Sequence, residues 1–251
     1  MKISDIQRYD SKKMYESYDN WAEVAQKNYS KDLPKIQFKN IDHIVFAGVG
    51  GSGTVGDVIS SILSKKNIHT NVVKGYLLPK TVDSNTLIVT TSVSGNSKEI
   101  LTVLQNAKKS KGKLLAFSSG GNMKKYSVKN KISYYQIPEI HSPRASFSGY
   151  VYSILNVLED VIPVKKRDVK ESIDQLVKTK KKISSNNLTN SNPALSLAKW
   201  ISHFPIIYYP SGLHSAAIRF KNSLQENAKM HVFAEDIIES SHNGIVSWEK
   251  R

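Results

Sequence analysis

Three short stretches of the chain carry residue types that hold anions. The first is Gly48-x-Gly50-x-x-Gly53, with Gly51 and Ser52 inside it. Its glycines let backbone approach a ligand closely. A helix starting there presents free N–H groups and the positive end of its dipole. The second is Ser92-Val93-Ser94-Gly95-Asn96-Ser97, with hydroxyls at Ser92, Ser94 and Ser97 and an amide around one glycine. One hydroxyl is enough to cap a helix. Several, with an amide, make a neutral cradle suited to a phosphate monoester. The third, Ser118-Ser119-Gly120-Gly121, reads equally well as such a junction or as an ordinary turn. Arg144, after Pro143, can clamp an anion or polarise a substrate oxygen, or simply lie on the surface. Further on, Glu226 stands seven residues after Arg219, on the same face of a helical pattern. A carboxylate there can take a proton from a substrate, although spacing alone fits a solvent-exposed glutamate better. His242 is the one histidine set in a polar loop motif, Ser240-Ser241-His242-Asn243-Gly244.

Two anions compete for the first stretch. The glycine spacing matches the dinucleotide fingerprint, which also wants an acidic residue about 20 positions on for the ribose. Here that region is Val72-Val73-Lys74-Gly75, and no acid follows until Asp83. No Gly-Lys-Ser/Thr is present either, so the nucleotide P-loop pattern is absent. A sugar phosphate fits better, because it needs the hydroxyl-rich second loop and no ribose acid.

The elements that must position these loops follow from apolar periodicity. A helical pattern covers residues 10–30. Strands are expected at 41–47, 69–73, 86–91, 113–118 and 132–137. Helices are expected at 53–65, 97–109, a short stretch after Gly121, and 146–161 with Val151, Ile154, Leu155 and Leu158 on one face. Strand and helix in alternation imply an α/β fold, a parallel sheet with helices on both faces. In such a sheet the glycine and serine loops lie at the same carboxyl edge. A charged helix at 166–184, striped by Val169, Ile173, Leu176 and Val177, leads into an Asn- and Ser-rich spacer. Helix 193–203, strand 205–210, helix 213–229 and strand 231–234 then resume the α/β rhythm, and 239–248 forms a last helical or loop segment. The expected division is a first lobe with its N-terminal helix at 1–162, a connection at 163–192 and a partial second lobe at 193–251. Two parallel strands are too few for an independent sheet.

Composition bounds the rest. The chain has 251 residues, 39% hydrophobic and 23% charged, in the range of a soluble globular protein. It has no cysteine, which excludes disulfides, thiolate metal sites and a cysteine nucleophile. The first residues, Met1-Lys2-Ile3-Ser4-Asp5, lack an apolar signal core, and no apolar run is long enough to span a membrane. A cytoplasmic location is the default expectation. The net charge of +15 comes mostly from dispersed lysines, densest at 178–182. It fits a solvated surface or attraction of a phosphorylated substrate. Nucleic acid is disfavoured, because neither zinc-finger spacing nor an aromatic RNA-binding motif accompanies the charge.

The combination is more specific than its parts. Gly50-Gly51-Ser52-Gly53, Ser92-x-Ser94-Gly95-Asn96-Ser97, Ser119-Gly120-Gly121 and Pro143-Arg144 together resemble a sugar isomerase (SIS) domain. The second half adds Arg219-Phe220-Lys221-Asn222-x-Leu224-x-Glu226-Asn227-x-Lys229 and Ser241-His242-Asn243. With these, residues 40–250 resemble the bifunctional phosphoglucose/phosphomannose isomerases. The resemblance implies two SIS lobes, a homodimer, no metal, no cofactor, and interconversion of glucose 6-phosphate or mannose 6-phosphate with fructose 6-phosphate. It implies Glu226 as the base that moves a proton between C1 and C2, His242 as the aid to ring opening, and Arg144 as the stabiliser of the enediolate. Gly51, Ser52, Ser92, Ser94, Ser97 and Arg144 would bind the substrate. The sequence departs from the family pattern at Val93, where an aromatic is usual, at Ser97, where threonine is, and at Gly244, where an acid is. The family also carries, beyond the Trp248-Glu249 pair, further strands and an active-site lysine. The alternatives are a sugar-phosphate-binding SIS module without turnover and, more weakly, a nucleotide-dependent oxidoreductase.

Overall fold

β1 (His43–Ala47) is buried along its whole length, and the reason is its position in the sheet. It pairs in parallel with β2 (His69–Val73) on one edge and β3 (Thr86–Thr91) on the other. β4 (Lys113–Ser118) and β5 (Ser133–Gln136) extend the parallel sheet beyond β3, giving the order β2-β1-β3-β4-β5. Val, Ile, Leu and Phe fill the central strands, as burial on both faces requires. The structure, a computed structural model, describes residues 1–249.

Side chains alternate between two helical layers, as the pleat dictates. Ile44, Phe46, Leu87, Val89, Leu115 and Phe117 face one cluster with Val55, Ile59 and Leu63 of α4 (Gly51–Leu63) and Tyr150, Ile154 and Val157 of α7 (Phe147–Val157). Ala47 and Ala116 face the other, with Ile100, Val103 and Leu104 of α5 (Lys98–Ala107) and Met123 of α6 (Gly121–Lys129). Each fully buried Leu or Ile contributes about 1.5–3 kcal/mol. The expected α/β architecture, a parallel sheet flanked by helices on both faces, is what forms.

Two local expectations are corrected. The helical pattern at 10–30 breaks into α2 (Met14–Asp19) and α3 (Trp21–Tyr29), preceded by α1 (Ile3–Tyr9). The Asp10 carboxylate accepts from the Tyr15 N–H at 2.8 Å, and Lys13 adopts a left-handed φ of 55°. This side-chain-to-backbone bond competes with continuous helix. The helix at 146–161, expected to bury one face, is buried all round from Ser148 to Val157. α3 and α4 both pack on it, and its polar groups are bonded inward, Ser153 Oγ to Asn28 Oδ1 at 3.0 Å and Asn156 Nδ2 to the Lys31 carbonyl at 2.8 Å. α8 (Lys166–Ile183) lies on α3, with Val169 and Ile173 buried and Lys180 Nζ 2.5 Å from Glu23 Oε1.

Packing divides the chain into two compact units, Met1–Ala198 and Lys199–Arg251. α8 and most of α9 (Pro193–Trp200) therefore go with the first. In the second unit β6 (Ile206–Tyr209) pairs in parallel with β7 (Phe233–Asp236), and α10 (His214–Ser223) packs on both strands. α10 continues into a π-helical turn, Leu224–Ala228, which ends at Lys229 in the left-handed conformation. α11 (Ile237–His242) and a 3-10 turn, Gly244–Trp248, follow β7.

Candidate functional site

The strand order reverses direction between β1 and β3. In an open parallel sheet the crevice for a ligand forms outside the carboxyl ends of the strands at that point. The loops that flank this crevice are those after β1 and β3, the glycine stretch and the serine stretch.

The loop after β1 turns tightly into α4. The Gly48 N–H bonds to the Val73 carbonyl at 3.0 Å, which fastens the loop to the end of β2. A Cβ at Gly53 would lie 2.7 Å from the Gly48 oxygen, so only glycine allows the turn to close. Gly50 stands at the N-cap, where α4 has no side-chain cap. Ser52 is buried and accepts from the Val93 N–H at 3.3 Å. That bond joins the glycine loop to the serine loop, and leaves the Ser52 hydroxyl proton to donate.

The loop after β3 is organised differently from a simple helix cap. Ser97 occupies the N-cap of α5, yet its hydroxyl makes no capping bond and lies 3.0 Å from Ser92 Oγ. Asn96 reaches across instead, and its Oδ1 accepts from the Asn122 N–H in the first turn of α6 at 3.0 Å. Ser94 is exposed, and its Oγ accepts from the Asn96 N–H at 3.3 Å. The loop after β4 closes onto this one. Ser119 N–H bonds to the Val93 carbonyl and Met123 N–H to the Gly95 carbonyl, both at 2.9 Å. Gly95 adopts φ +69°, and a Cβ on it would sit 2.0 Å from the Gly120 oxygen. Of the two readings of Ser118-Ser119-Gly120-Gly121, the turn is the better supported, because these residues brace the serine loop. Ser118 Oγ is occupied by the Gly120 carbonyl at 2.8 Å and the Tyr134 hydroxyl at 2.9 Å.

Arg144 belongs to the same region through its backbone. A Cβ at Gly51 would lie 3.5 Å from the Pro143 oxygen and 3.7 Å from Arg144 Cα. Arg144 is half-buried, in a turn held by one distant and one local hydrogen bond. The Trp21 indole N–H donates to the Ala145 carbonyl at 2.9 Å, and Ser146 Oγ takes the Ile140 N–H at 2.8 Å. The broken N-terminal helices thus have a task, which is to fix the arginine segment against the glycine loop. At the rim, the Glu99 carboxylate in the first turn of α5 pushes the Tyr76 phenol above its ordinary range.

Gly51, Ser52, Ser92, Ser94, Ser97 and the Arg144 segment are therefore drawn to one edge of one sheet. Glu226 and His242 lie in the second unit. Glu226 is half-buried inside the π-helical turn. The wider winding departs from the regular α-helical turn on which the seven-residue spacing from Arg219 is read. π-turns of this kind occur frequently at functional sites. Arg219 itself is buried in α10. His242 is exposed in the last turn of α11, whose start is capped by Asp236 Oδ1 accepting from the Ile238 N–H at 2.9 Å. After it, Gly244 packs tightly, and a Cβ there would meet Ser240 Oγ at 2.7 Å. Among the described residues no group of three or more His, Asp or Glu is placed to hold a metal ion, and no helix is long and apolar enough to cross a membrane.

Comparison with known proteins bears on the same two regions. The SIS domain family matches residues 37–157, and the bacterial phospho-glucose isomerase C-terminal SIS domain family matches residues 190–251. A bifunctional phosphoglucose/phosphomannose isomerase of Caldicellulosiruptor bescii is 32% identical over 248 residues, covering 94% of this chain and 72% of that protein. The chain belongs to the bifunctional phosphoglucose/phosphomannose isomerase family. The Aquifex aeolicus member is 28% identical over 233 residues, covering 91% of this chain and 66% of its own length. Among solved structures, the C-terminal domain of glucosamine-fructose-6-phosphate aminotransferase from Francisella tularensis shares the fold, with a TM-score of 0.66 at 15% identity over 94% of this chain and 73% of that one. For a member of this isomerase family, the missing ribose acid after β2 is no anomaly. The sequence reading missed three supports of the site, namely Trp21, Asn96 as the cap of α6, and the π-turn. Only Trp21 had a local signal, an aromatic on a charged helix.

Proposed function

We propose that this protein is an aldose–ketose isomerase that interconverts glucose 6-phosphate, and mannose 6-phosphate, with fructose 6-phosphate through an enediolate. The observation that carries the reading is the convergence of the glycine loop, the serine loop and the Pro143-Arg144 turn at the switch point of the sheet. Two helix starts without side-chain caps and a set of serine hydroxyls form a neutral cradle for a phosphate monoester. Family membership supports the same substrate class.

In this reading Ser52, Ser92, Ser94 and Ser97 hold the phosphate or adjacent hydroxyls, with Gly51 giving the backbone room. The phosphate anchor converts remote binding into orientation of the carbon skeleton. Glu226 takes the proton from C2 of the open-chain aldose and returns it to C1. Arg144 stabilises the oxygen charge that develops between these transfers. His242 assists ring opening, in its own site or that of a neighbouring subunit. Rotation about one carbon–carbon bond lets the same base serve both C2 epimers. A homodimer in the cytoplasm, acting without cofactor or metal, completes the proposal.

A coupled assay with glucose 6-phosphate and mannose 6-phosphate tests it. Glu226→Gln is expected to lower kcat at least about a thousandfold with KM little changed, since one atom of the base is replaced. Equal turnover in the two proteins would remove Glu226 from the role. Saturable fructose 6-phosphate binding by the parent without any turnover would leave a sugar-phosphate-binding module in its place.

A further inference from the structure

Lys74 stands where a dinucleotide fold keeps its ribose acid, and the sugar-phosphate reading gives it no task. Its surroundings are specific. Its Nζ lies 2.7 Å from Asp57 Oδ2, and the Asp57 side chain is 6% exposed. Its Cγ would lie 3.4 Å from a Cβ built on Gly53, so the lysine stem runs along the outside of the first turn of α4. The residue before it, Val73, accepts the Gly48 N–H. The lysine therefore touches the anion loop by its stem and ends on a carboxylate buried one turn deeper in the same helix.

The placement of Asp57 poses an electrostatic problem. It is six residues after Gly51, so about 9 Å from the start of α4 along the axis. A buried carboxylate at that range opposes binding of a dianion at the helix start, because little water lies between them to screen it. The helix dipole welcomes negative charge at this end, and Asp57 would take up part of that benefit. An adjacent ammonium cancels it.

We propose that Asp57 and Lys74 are a positioning pair that sets the affinity of the α4 start for the substrate phosphate, Lys74 neutralising the charge of Asp57 behind the loop. The proposal rests on the phosphate-cradle reading above. It also gives the end of β2 a function opposite to its dinucleotide counterpart, since the position supplies a balanced charge instead of a ribose acceptor.

The two halves of the pair act with opposite sign, which separates this role from a merely structural strut. Fructose 6-phosphate binding is measured by calorimetry on the whole chain, with KM and kcat alongside and a thermal melt to confirm folding. Lys74→Met is expected to raise Kd and KM about fivefold with kcat unchanged. Asp57→Asn is expected to lower Kd about two- to fivefold. The double variant Asp57→Asn/Lys74→Met returns near the parent value, and Lys74→Arg keeps it. Single variants that both weaken binding, or that both leave Kd within twofold, overturn the proposal. If Lys74→Met does not fold, Asp57→Asn and the double variant still decide by sign. A parent protein that binds no fructose 6-phosphate overturns the cradle reading itself, and the pair with it. A parent that binds while the variants show no sign difference overturns the pair alone.

Discussion

The segment β1-α4-β2 of the first unit and β6-α10-β7 of the second follow the same plan: a strand, a helix packed on it, and a second strand parallel to the first. Their burial differs sharply. All five residues of β1 are buried, whereas β6 alternates between exposed and half-buried. α4 buries eight residues, and α10 three, one of them Arg219. The large apolar side chains of Leu213 and Phe233 are 55% and 62% exposed. The apolar content of the strands does not explain this, since Ile206-Ile207-Tyr208-Tyr209 is as hydrophobic as His43-Ile44-Val45-Phe46-Ala47. The neighbours explain it. β1 lies between two strands and two helical layers, while the sheet of β6 and β7 has two strands among the described residues. A strand's burial is a property of the sheet around it.

Substitutions matched across the units test that contrast. The largest effect is expected at glycines of positive φ. Gly95→Ala places a methyl 2.0 Å from the Gly120 oxygen, whereas the space around Gly212, at φ +91°, is open. The first should cost about 4 kcal/mol, by displacing the brace between the serine loop and the loop after β4. The second should cost only the backbone term, about 1 kcal/mol. Urea unfolding with hydrogen exchange resolved by unit measures both, and equal costs would break the comparison.

Core truncations come next. Leu115→Ala, at a side chain with no exposure, should lose about 3 kcal/mol through lost transfer and a cavity. Ile206→Ala, at 40% exposure, should lose less than about 1 kcal/mol. Exchange protection of each sheet reads the two separately. A large loss at Ile206 would show that its unit is packed more completely than its exposure indicates.

Alkaline pH supplies a smaller, graded effect on the first unit. Burial pushes the phenols of Tyr135, Tyr150 and Tyr152 up from their ordinary value of 10.0. The unfolded chain releases these protons first. The stability they contribute is therefore complete below pH 10 and is lost as pH rises through the folded values. Each strongly buried phenol removes up to about 1.4 kcal/mol per pH unit. The urea midpoint of the first unit should fall between pH 10 and 11.5. Tyr150→Phe should flatten that slope while costing about 1 kcal/mol at pH 7, through loss of its hydroxyl bond to the Ile137 carbonyl at 3.0 Å. A midpoint that does not move with pH would contradict the assignment.

The order of elements in the first unit was legible because each apolar run is bounded by glycine, proline or a charged turn. The serine and glycine loops were legible for the same reason, since they interrupt those runs with a composition that few other tasks need. What stayed hidden was the choice of partners. Ser97 and Asn96 both look like caps of α5, yet one bonds Ser92 and the other caps α6. The indole of Trp21 holds a carbonyl 124 positions away. A π-turn adds one residue to a helical turn, which a pattern of apolar positions over so short a stretch does not register.

The sequence by itself therefore determined the α/β alternation and the glycine- and serine-rich make-up of the loops, and it singled out Glu226 and His242 as candidates. It did so because periodicity and turn chemistry act within a few residues. The tertiary structure alone decided that Ser52 bonds to the serine loop, that the Pro143-Arg144 turn closes on the glycine loop, and that Lys74 turns back onto Asp57. Those outcomes depend on which segments the parallel sheet brings side by side, and contacts across 17 to more than 100 positions leave no local trace in the chain.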